Sequence, residues 1–107
     1  MEVKQYEFYW VNLDPTIGRE MKKTRSCLVL SPNKMNDNIG TVIVAPLSYQ
    51  TRSYPSRVKC SLEGKNGMIA IDQLKTIDKK RLQKRIATAN EKVIQQVKQV
   101  ISEMLVQ

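Results

Sequence analysis

The 107-residue chain contains no histidine. That removes the side chain most often used as general acid or base near neutral pH, so any catalysis must run on Arg, Glu, Asp, Ser, Thr, Tyr or Lys. Cysteine is scarce: Cys27 and Cys60 stand far apart. Without histidine, two distant thiols leave a zinc site almost no ligands, and no metal or cofactor is expected. Both cysteines fall in apolar, strand-like runs, where buried free thiols are expected rather than a disulfide. No apolar run reaches the roughly 20 residues that cross a bilayer. The N-terminal Met-Glu-Val-Lys-Gln-Tyr lacks an apolar signal core, so the expected compartment is the cytoplasm. Aromatics make up 6%, and Tyr6, Phe8, Tyr9 and Trp10 crowd near the N-terminus. There is no internal repeat, low-complexity tract or linker, and the length predicts one domain over 1–107.

What the chain does carry is positive charge. Eighteen Lys and Arg stand against ten Asp and Glu, a net charge of +8, with a pI near 9.7. Such an excess in a small domain favours a polyanionic partner, most simply nucleic acid, with a membrane surface as the rival reading.

Hydrophobic periodicity predicts a string of short strands and one helix. Glu7 to Leu13 alternates, with Tyr9, Val11 and Leu13 on one face and Phe8, Trp10 and Asn12 on the other. Asp14-Pro15 ends it. Cys27 to Leu30 reads as a central strand, Ser31 to Gly40 as a turn-rich connection, and Thr41 to Pro46 as a third strand stopped by its proline. Arg57 to Leu62 alternates with Val58, Cys60 and Leu62 inward. Glu63-Gly-Lys-Asn-Gly67 reads as a tight hairpin turn, its Asn-Gly supplying the positive φ, with a fifth strand at Met68 to Ile71. Leu74 to Ile77 is extended, Asp78 opens one helical turn, and Arg85 to Thr88 is a last strand. Residues 90–105 form an amphipathic helix in which Val93, Ile94, Val97, Val100, Ile101, Met104 and Leu105 repeat at helical spacing. Thr88 with Glu91 makes a capping box, and Asn90 is the alternative cap. The order predicts a mainly β fold, a small SH3-like barrel closed by a C-terminal helix.

The stretch from Trp10 to Pro32 organises the chain. Arg19, Glu20, Lys22, Lys23 and Arg25 lie in a loop between two hydrophobic strands. A loop pinned at both ends can hold side chains in fixed positions, as a catalytic site requires; a solvated basic loop is the plainer reading. Trp10 reads first as packing at a barrel rim, with a base-stacking platform as the alternative.

Four pieces carry a resemblance: Trp10-Val-Asn-Leu-Asp-Pro-Thr-x-Gly-x-Glu20; Arg25 followed by Leu28-Val-Leu-Ser-Pro32; Pro46-Leu-Ser-Tyr-Gln-Thr51 running on to Tyr54-Pro55; and Asp72-Gln-Leu-Lys-Thr-Ile77. In this order and spacing the chain resembles the MazF/PemK toxins of type II toxin–antitoxin systems over nearly its whole length. The resemblance implies a ribosome-independent, metal-independent endoribonuclease that cuts single-stranded mRNA within a short sequence. It also implies a homodimer, a fold related to CcdB-type gyrase poisons, and inhibition by a cognate antitoxin with an acidic C-terminal tail. By position, the family's loop arginine falls on Arg25, its catalytic threonine on Ser48 and its loop glutamate on Glu20. Two departures stand out. Ser48 keeps the hydroxyl but loses the methyl that restricts χ1. The loop Glu20-Met-Lys-Lys-Thr-Arg25-Ser26 lacks the family's paired glycines and its proline.

Cleavage without metal uses the substrate's 2′-OH, which attacks the adjacent phosphorus and expels the 5′-oxygen. The products are a 2′,3′-cyclic phosphate and a 5′-OH. A guanidinium suits stabilisation of the charged phosphate and, staying protonated, suits the base role poorly. Ser48 can donate to a non-bridging oxygen. Glu20 can orient Arg25 or act as base, and the cations around it favour orientation. Lys22, Lys23, Gln50, Thr51, Arg52, Asp72, Gln73 and Lys75 are candidate RNA contacts, Asp72 and Gln73 offering groups that match base edges. Lys75, Lys79, Lys80, Arg81, Lys84 and Arg85 form either a solvated face or a rim that steers RNA or an acidic tail. Two rival functions remain at this point: a protein-targeting poison of the same fold, and a non-catalytic RNA-binding module.

Overall fold

In the computed structural model, residues 2–13, 24–50 and 53–106 are described. Among them run seven antiparallel strands: β1 (Glu7–Asn12), β2 (Thr24–Val29), β3 (Thr41–Ser48), β4 (Arg57–Leu62), β5 (Lys65–Ala70), β6 (Lys75–Asp78) and β7 (Leu82–Thr88). A six-residue helix α1 (Asn33–Asn38) precedes β3, and a fifteen-residue helix α2 (Glu91–Leu105) ends the chain. The sheet order is β4-β5-β3-β2-β1-β7, with β6 on the outer edge of β3. The mainly β fold with a C-terminal helix predicted from the sequence is thus the fold observed, as a curled half-barrel.

β3 is the strand around which the sheet turns. One edge pairs with β2 through Val44, Ala45 and Pro46. The other edge pairs first with β6, from Thr41 to Val44, and then with β5, at Leu47 and Ser48. The expectation that Pro46 stops the strand is therefore corrected: β3 passes through it for two more residues. The register supplies the reason. The Leu30 amide donates to the Ile43 carbonyl at 2.8 Å, and hydrogen-bonded and open pairs alternate in an antiparallel ladder. That makes Cys27–Pro46 an open pair. The donor that proline lacks would face the opposite edge, where β3 changes partner from β6 to β5.

Alternation along β1 sends side chains to two cores. Tyr9 and Val11 join Cys27, Val29, Val42, Val44, Ile77 and Leu82 inside the curl, with Leu13 packed against them. Phe8 joins Leu28, Leu47, Val58, Ile69 and Ile71 on the other face, under Val93 and Val97 of α2. Each fully buried aliphatic side chain contributes about 1.5–3 kcal/mol. The stripe on α2 is buried over fewer turns than its spacing predicts: Met104 and Leu105 are exposed. The helix begins at Asn90, whose side chain accepts from the Val93 amide at 2.9 Å. Thr88 does not form the predicted capping box, because its hydroxyl accepts from Arg85 at 2.6 Å.

Two more local expectations are revised. The connection after β2 contains α1, fixed by a buried network: Ser31 Oγ meets Asn36 Oδ1 at 2.6 Å, and Asn36 Nδ2 donates to the Ser31 carbonyl at 2.9 Å. In the β4–β5 hairpin, Leu62 pairs with Lys65, leaving a two-residue turn at Glu63-Gly64. Both residues have positive φ, 51° and 76°, as a type I′ turn demands. Asn66-Gly67 instead lies within β5. The absence of a side chain on Gly67 lets the Tyr49 ring lie over it, since a Cβ there would come within 2.9 Å of that ring.

Glu7 is buried in β1, where it joins the chain's N-terminal turn to β7. It accepts from the Lys4 amide at 2.9 Å and the Tyr9 hydroxyl at 3.2 Å, and pairs with Arg85 at 2.5 Å. Burial pushes its carboxyl up, but the hydrogen bonds from Arg85, the Lys4 amide and Tyr9 outweigh this and hold it below its ordinary value. A depressed carboxylate stabilises the fold above its unfolded pKa, about 4.3, and that stabilisation disappears as pH falls through the folded value. Wild-type melting temperature should therefore exceed that of Glu7→Gln at neutral pH. The gap should narrow between about pH 5 and pH 3; a gap independent of pH would contradict the ion-pair account. Asn90→Ala should cost about 1 kcal/mol in denaturant unfolding, and Thr88→Ala clearly less. The reverse order would restore the capping box.

Candidate active site

Arg25 and Ser48 reach the same place from neighbouring strands. Arg25 is the second residue of β2 and Ser48 the last of β3. Both line one open cavity of about 520 Å³, together with Trp10, Thr24, Ser26, Leu47, Tyr49 and Gln50. Arg25 is half-buried, and one of its terminal nitrogens donates to the Leu47 carbonyl at 2.8 Å. That bond fixes the arginine against the residue preceding Ser48. A guanidinium has five N–H donors, so capacity remains for an anion. Ser48 is 9% exposed, and its Oγ accepts from the Gln50 amide at 3.4 Å, a long bond that leaves the hydroxyl proton free to be donated elsewhere.

The remaining wall is built by residues that sequence reasoning weighed differently or missed. Trp10 projects from the face of β1 opposite Tyr9 and lines this cavity rather than closing a core, which favours the base-stacking alternative over rim packing. Ser26 is buried, with its Oγ 3.2 Å from the Tyr49 hydroxyl. Neither Ser26 nor Tyr49 was singled out. Neither residue type carries a local signal for this role; the two hydroxyls meet only through the pairing of strands.

The other candidates divide by position. Gln50 joins the cavity. Glu20, Lys22, Lys23, Thr51 and Arg52 lie outside the described residues. Asp72 is held elsewhere: it accepts from Ser56 Oγ at 3.0 Å and from Arg57 Nε and Nη2 at 3.1 and 3.3 Å. The Arg57 guanidinium, more than any other neighbour, holds its carboxyl below the usual carboxylate value. Asp72 and Arg57 line a different cavity, with Tyr54 and α2 residues Val100, Glu103 and Met104. Gln73 and Lys75 are exposed and line neither. Lys75 sits on β6 opposite Val44 of β3. Burial pushes the Cys27 thiol up to about 12, while the charges of Arg25 and Lys75 oppose that rise. Cys27 and Cys60 are both free, Cys27 fully buried and Cys60 half-buried.

The basic cluster is spread over β6, the single helical turn Lys79–Arg81 that Asp78 caps as expected, and β7. Lys79 donates to the Asn36 carbonyl, Arg81 donates to the Asn12 carbonyl at 3.2 Å, and Arg85 holds Glu7. Lys75, Lys80 and Lys84 are exposed and remain candidates for a steering rim. Among the described residues no group of three or more His, Cys, Asp or Glu side chains comes together, and no helix is long and apolar enough to cross a membrane.

Residues 4–105 match the family model of the PemK-like, MazF-like toxins of type II toxin-antitoxin systems. The endoribonuclease toxin MazF of Escherichia coli strain K12 is 35% identical over 71 residues, a match that covers 66% of this chain and 64% of that protein. The endoribonuclease EndoA of Bacillus subtilis strain 168 is 26% identical over 107 residues, covering 94% of this chain and 92% of that one. Among solved structures, MazF from Deinococcus radiodurans superposes with a TM-score of 0.82 at 25% identity, covering 100% and 99% of the two chains. A MazE-MazF structure from the same organism gives 0.83 at 25% identity, with 98% and 96% coverage. The family match runs through both strands that carry Arg25 and Ser48, and the chain belongs to the PemK-like, MazF-like toxins of type II toxin-antitoxin systems.

Proposed function

We propose that the chain is the toxin of a type II toxin–antitoxin pair and acts as a ribosome-independent endoribonuclease on single-stranded mRNA. The observation that carries this reading is the meeting of a tethered guanidinium and a buried hydroxyl in one open cavity: Arg25 held by the Leu47 carbonyl, and Ser48 one residue further on. The endoribonucleases among its relatives support the same reading.

The chemistry follows from what those groups can do. The 2′-oxygen of the RNA bonds to the adjacent phosphorus as its proton leaves. The bond to the 5′-oxygen breaks, and that oxygen is protonated. No water adds to the phosphorus; solvent in the open cavity takes the 2′ proton and returns one to the 5′-oxygen. Arg25 grips the non-bridging oxygens as charge accumulates, and Ser48 donates a hydrogen bond to one of them. Glu20 is assigned by position to orient Arg25. Trp10 and Gln50 supply a stacking surface and an amide for the bases on either side of the cut. Lys22, Lys23 and Lys75, with Thr51, Arg52 and Gln73, add contacts along the strand, while Asp72, already paired with Arg57, is the weakest member of that set. The acidic tail of an antitoxin would occupy the same cationic surface. Homodimerisation accords with the exposed apolar end of α2, where Met104, Leu105 and Val106 cover none of the protein's own core. The cytoplasm, where mRNA is found, is the proposed compartment.

The assay is incubation with single-stranded RNA in EDTA followed by end mapping. Cleavage should persist, leave 2′,3′-cyclic phosphate and 5′-OH ends, and stop when the nucleotide 5′ of the cut is 2′-deoxy. Tight binding without cleavage would point to a non-catalytic RNA-binding module, and neither binding nor cleavage to a protein-targeting poison. Arg25→Ala should abolish cutting and growth arrest while leaving the melting temperature nearly unchanged, since among the described residues its side chain makes one hydrogen bond and belongs to neither core. For Ser48, threonine should be tolerated, and alanine should slow cleavage on the order of a hundredfold, as loss of one transition-state donor does. Equal rates for serine, threonine and alanine would reduce Ser48 to a turn residue.

A further inference from the structure

Tyr49 stands between two cavities. On one side is the Arg25–Ser48 cavity; on the other is a second one of about 430 Å³ lined by Tyr49, Gln50, Lys59, Asn66, Gly67 and Met68. Tyr49 and Gln50 line both, so the two are contiguous across one aromatic ring. Building on the ribonuclease reading above, we propose that the second cavity is a subsite for a nucleobase flanking the scissile phosphodiester, and that Tyr49 is the wall that decides which base is accepted there.

The fold builds this wall deliberately. The β3–β5 ladder ends at Ser48–Met68. Beyond it, the Asn66–Gly67 stretch of β5 has β4 on one side and the departing Tyr49 and Gln50 on the other. The ring is located by three contacts, one from β2 and two from β5. Its hydroxyl meets the buried Ser26 Oγ of β2 at 3.2 Å. Its edge lies over Gly67, where an added Cβ would sit 2.9 Å from Cε1 and 3.0 Å from Cδ1. The Lys65 ammonium lies 4.2 Å from its centroid, within cation–π range. Tyr49 is nonetheless 41% exposed. An exposed aromatic held by a buried hydroxyl and by a missing side chain is pre-organised for a planar ligand rather than packed into a core.

The cavity's chemistry is that of a base site. The Tyr49 ring and Met68 give apolar faces. Gln50 and Asn66 each carry an amide donor and acceptor able to read a base edge. Lys59 and Lys65 bring positive charge for the phosphate on that nucleotide. None of these groups replaces Arg25 or Ser48; Tyr49 and Gly67 act here as specificity determinants.

The test uses purified full-length wild type, Tyr49→Ala, Tyr49→Phe, Gly67→Ala and Asn66→Ala on a pool of single-stranded RNAs randomised around the wild-type cut, in EDTA, with rates fitted for each base at each position. Gly67→Ala is the decisive variant. Its backbone φ is outside the positive range, so the backbone accepts alanine; the new methyl displaces the Tyr49 ring without altering the phenol and comes within 3.3 Å of the Ser48 carbonyl oxygen. Tyr49→Ala and Gly67→Ala should each relax base preference at one and the same flanking position by roughly tenfold, with KM moving more than kcat. Tyr49→Phe should retain most of the preference, and Asn66→Ala should shift it at that position only. Unchanged preference at every position in folded Gly67→Ala and Asn66→Ala would overturn the subsite while leaving the ribonuclease reading intact. A uniform slowing without any change in preference would overturn it equally, because it would make Tyr49 only a support for Ser48. Absence of any cut by wild type would overturn both readings at once.

Discussion

The hydrogen bond from Arg25 to the Leu47 carbonyl is the contact on which the site depends. It joins the start of β2 to the end of β3 at the point where those strands diverge. The bond gives a flexible, permanently charged side chain one position, beside Ser48. The strands themselves are placed by larger forces: two hydrophobic layers on opposite faces of one curled sheet, with α2 covering one of them. Pro46 matters here too. Its absent donor falls where β3 exchanges β6 for β5, and two residues later the strand delivers Leu47 and Ser48 to the cavity.

Much of this architecture could be read from residue patterns. The alternation of β1 separated Phe8 from Tyr9 and Val11, and those residues do enter different cores. The spacing of Val93 and Val97 located the buried face of α2. The failures have local causes. Pro46 was read by the general rule that proline ends a strand, and only the register shows that its position needs no donor. Asn66-Gly67 carries a strong turn signal, yet Glu63-Gly64 makes the turn, and Gly67 lies in β5 under an aromatic ring that comes from eighteen residues earlier. A pairwise tertiary contact of this kind leaves no trace in local propensity. Met104 and Leu105 continued the helical stripe beyond the surface the sheet has available to cover.

The candidate site was legible in part, and mainly through the family resemblance. Composition pointed to a polyanion and excluded histidine chemistry, but nothing in the spacing of Arg25 and Ser48 required them to meet. Their junction is a consequence of antiparallel pairing between β2 and β3. Asp72 illustrates the opposite case. Its motif suggested base reading, while the fold commits its carboxylate to Arg57 and Ser56. Tyr49 and Ser26 carried no signal on their own and acquire meaning only through the 3.2 Å approach of their hydroxyls.

The central claim is that Arg25 and Ser48 act together on one phosphate. A double-mutant cycle on kcat/KM for a defined single-stranded RNA, using Arg25→Lys, Ser48→Ala and the pair, tests it most directly. Groups that share one transition-state charge should be coupled, so the double variant should be clearly faster than the product of the two single losses predicts. Losses that multiply without coupling would mean that the two side chains act on separate parts of the RNA, and the account would fail.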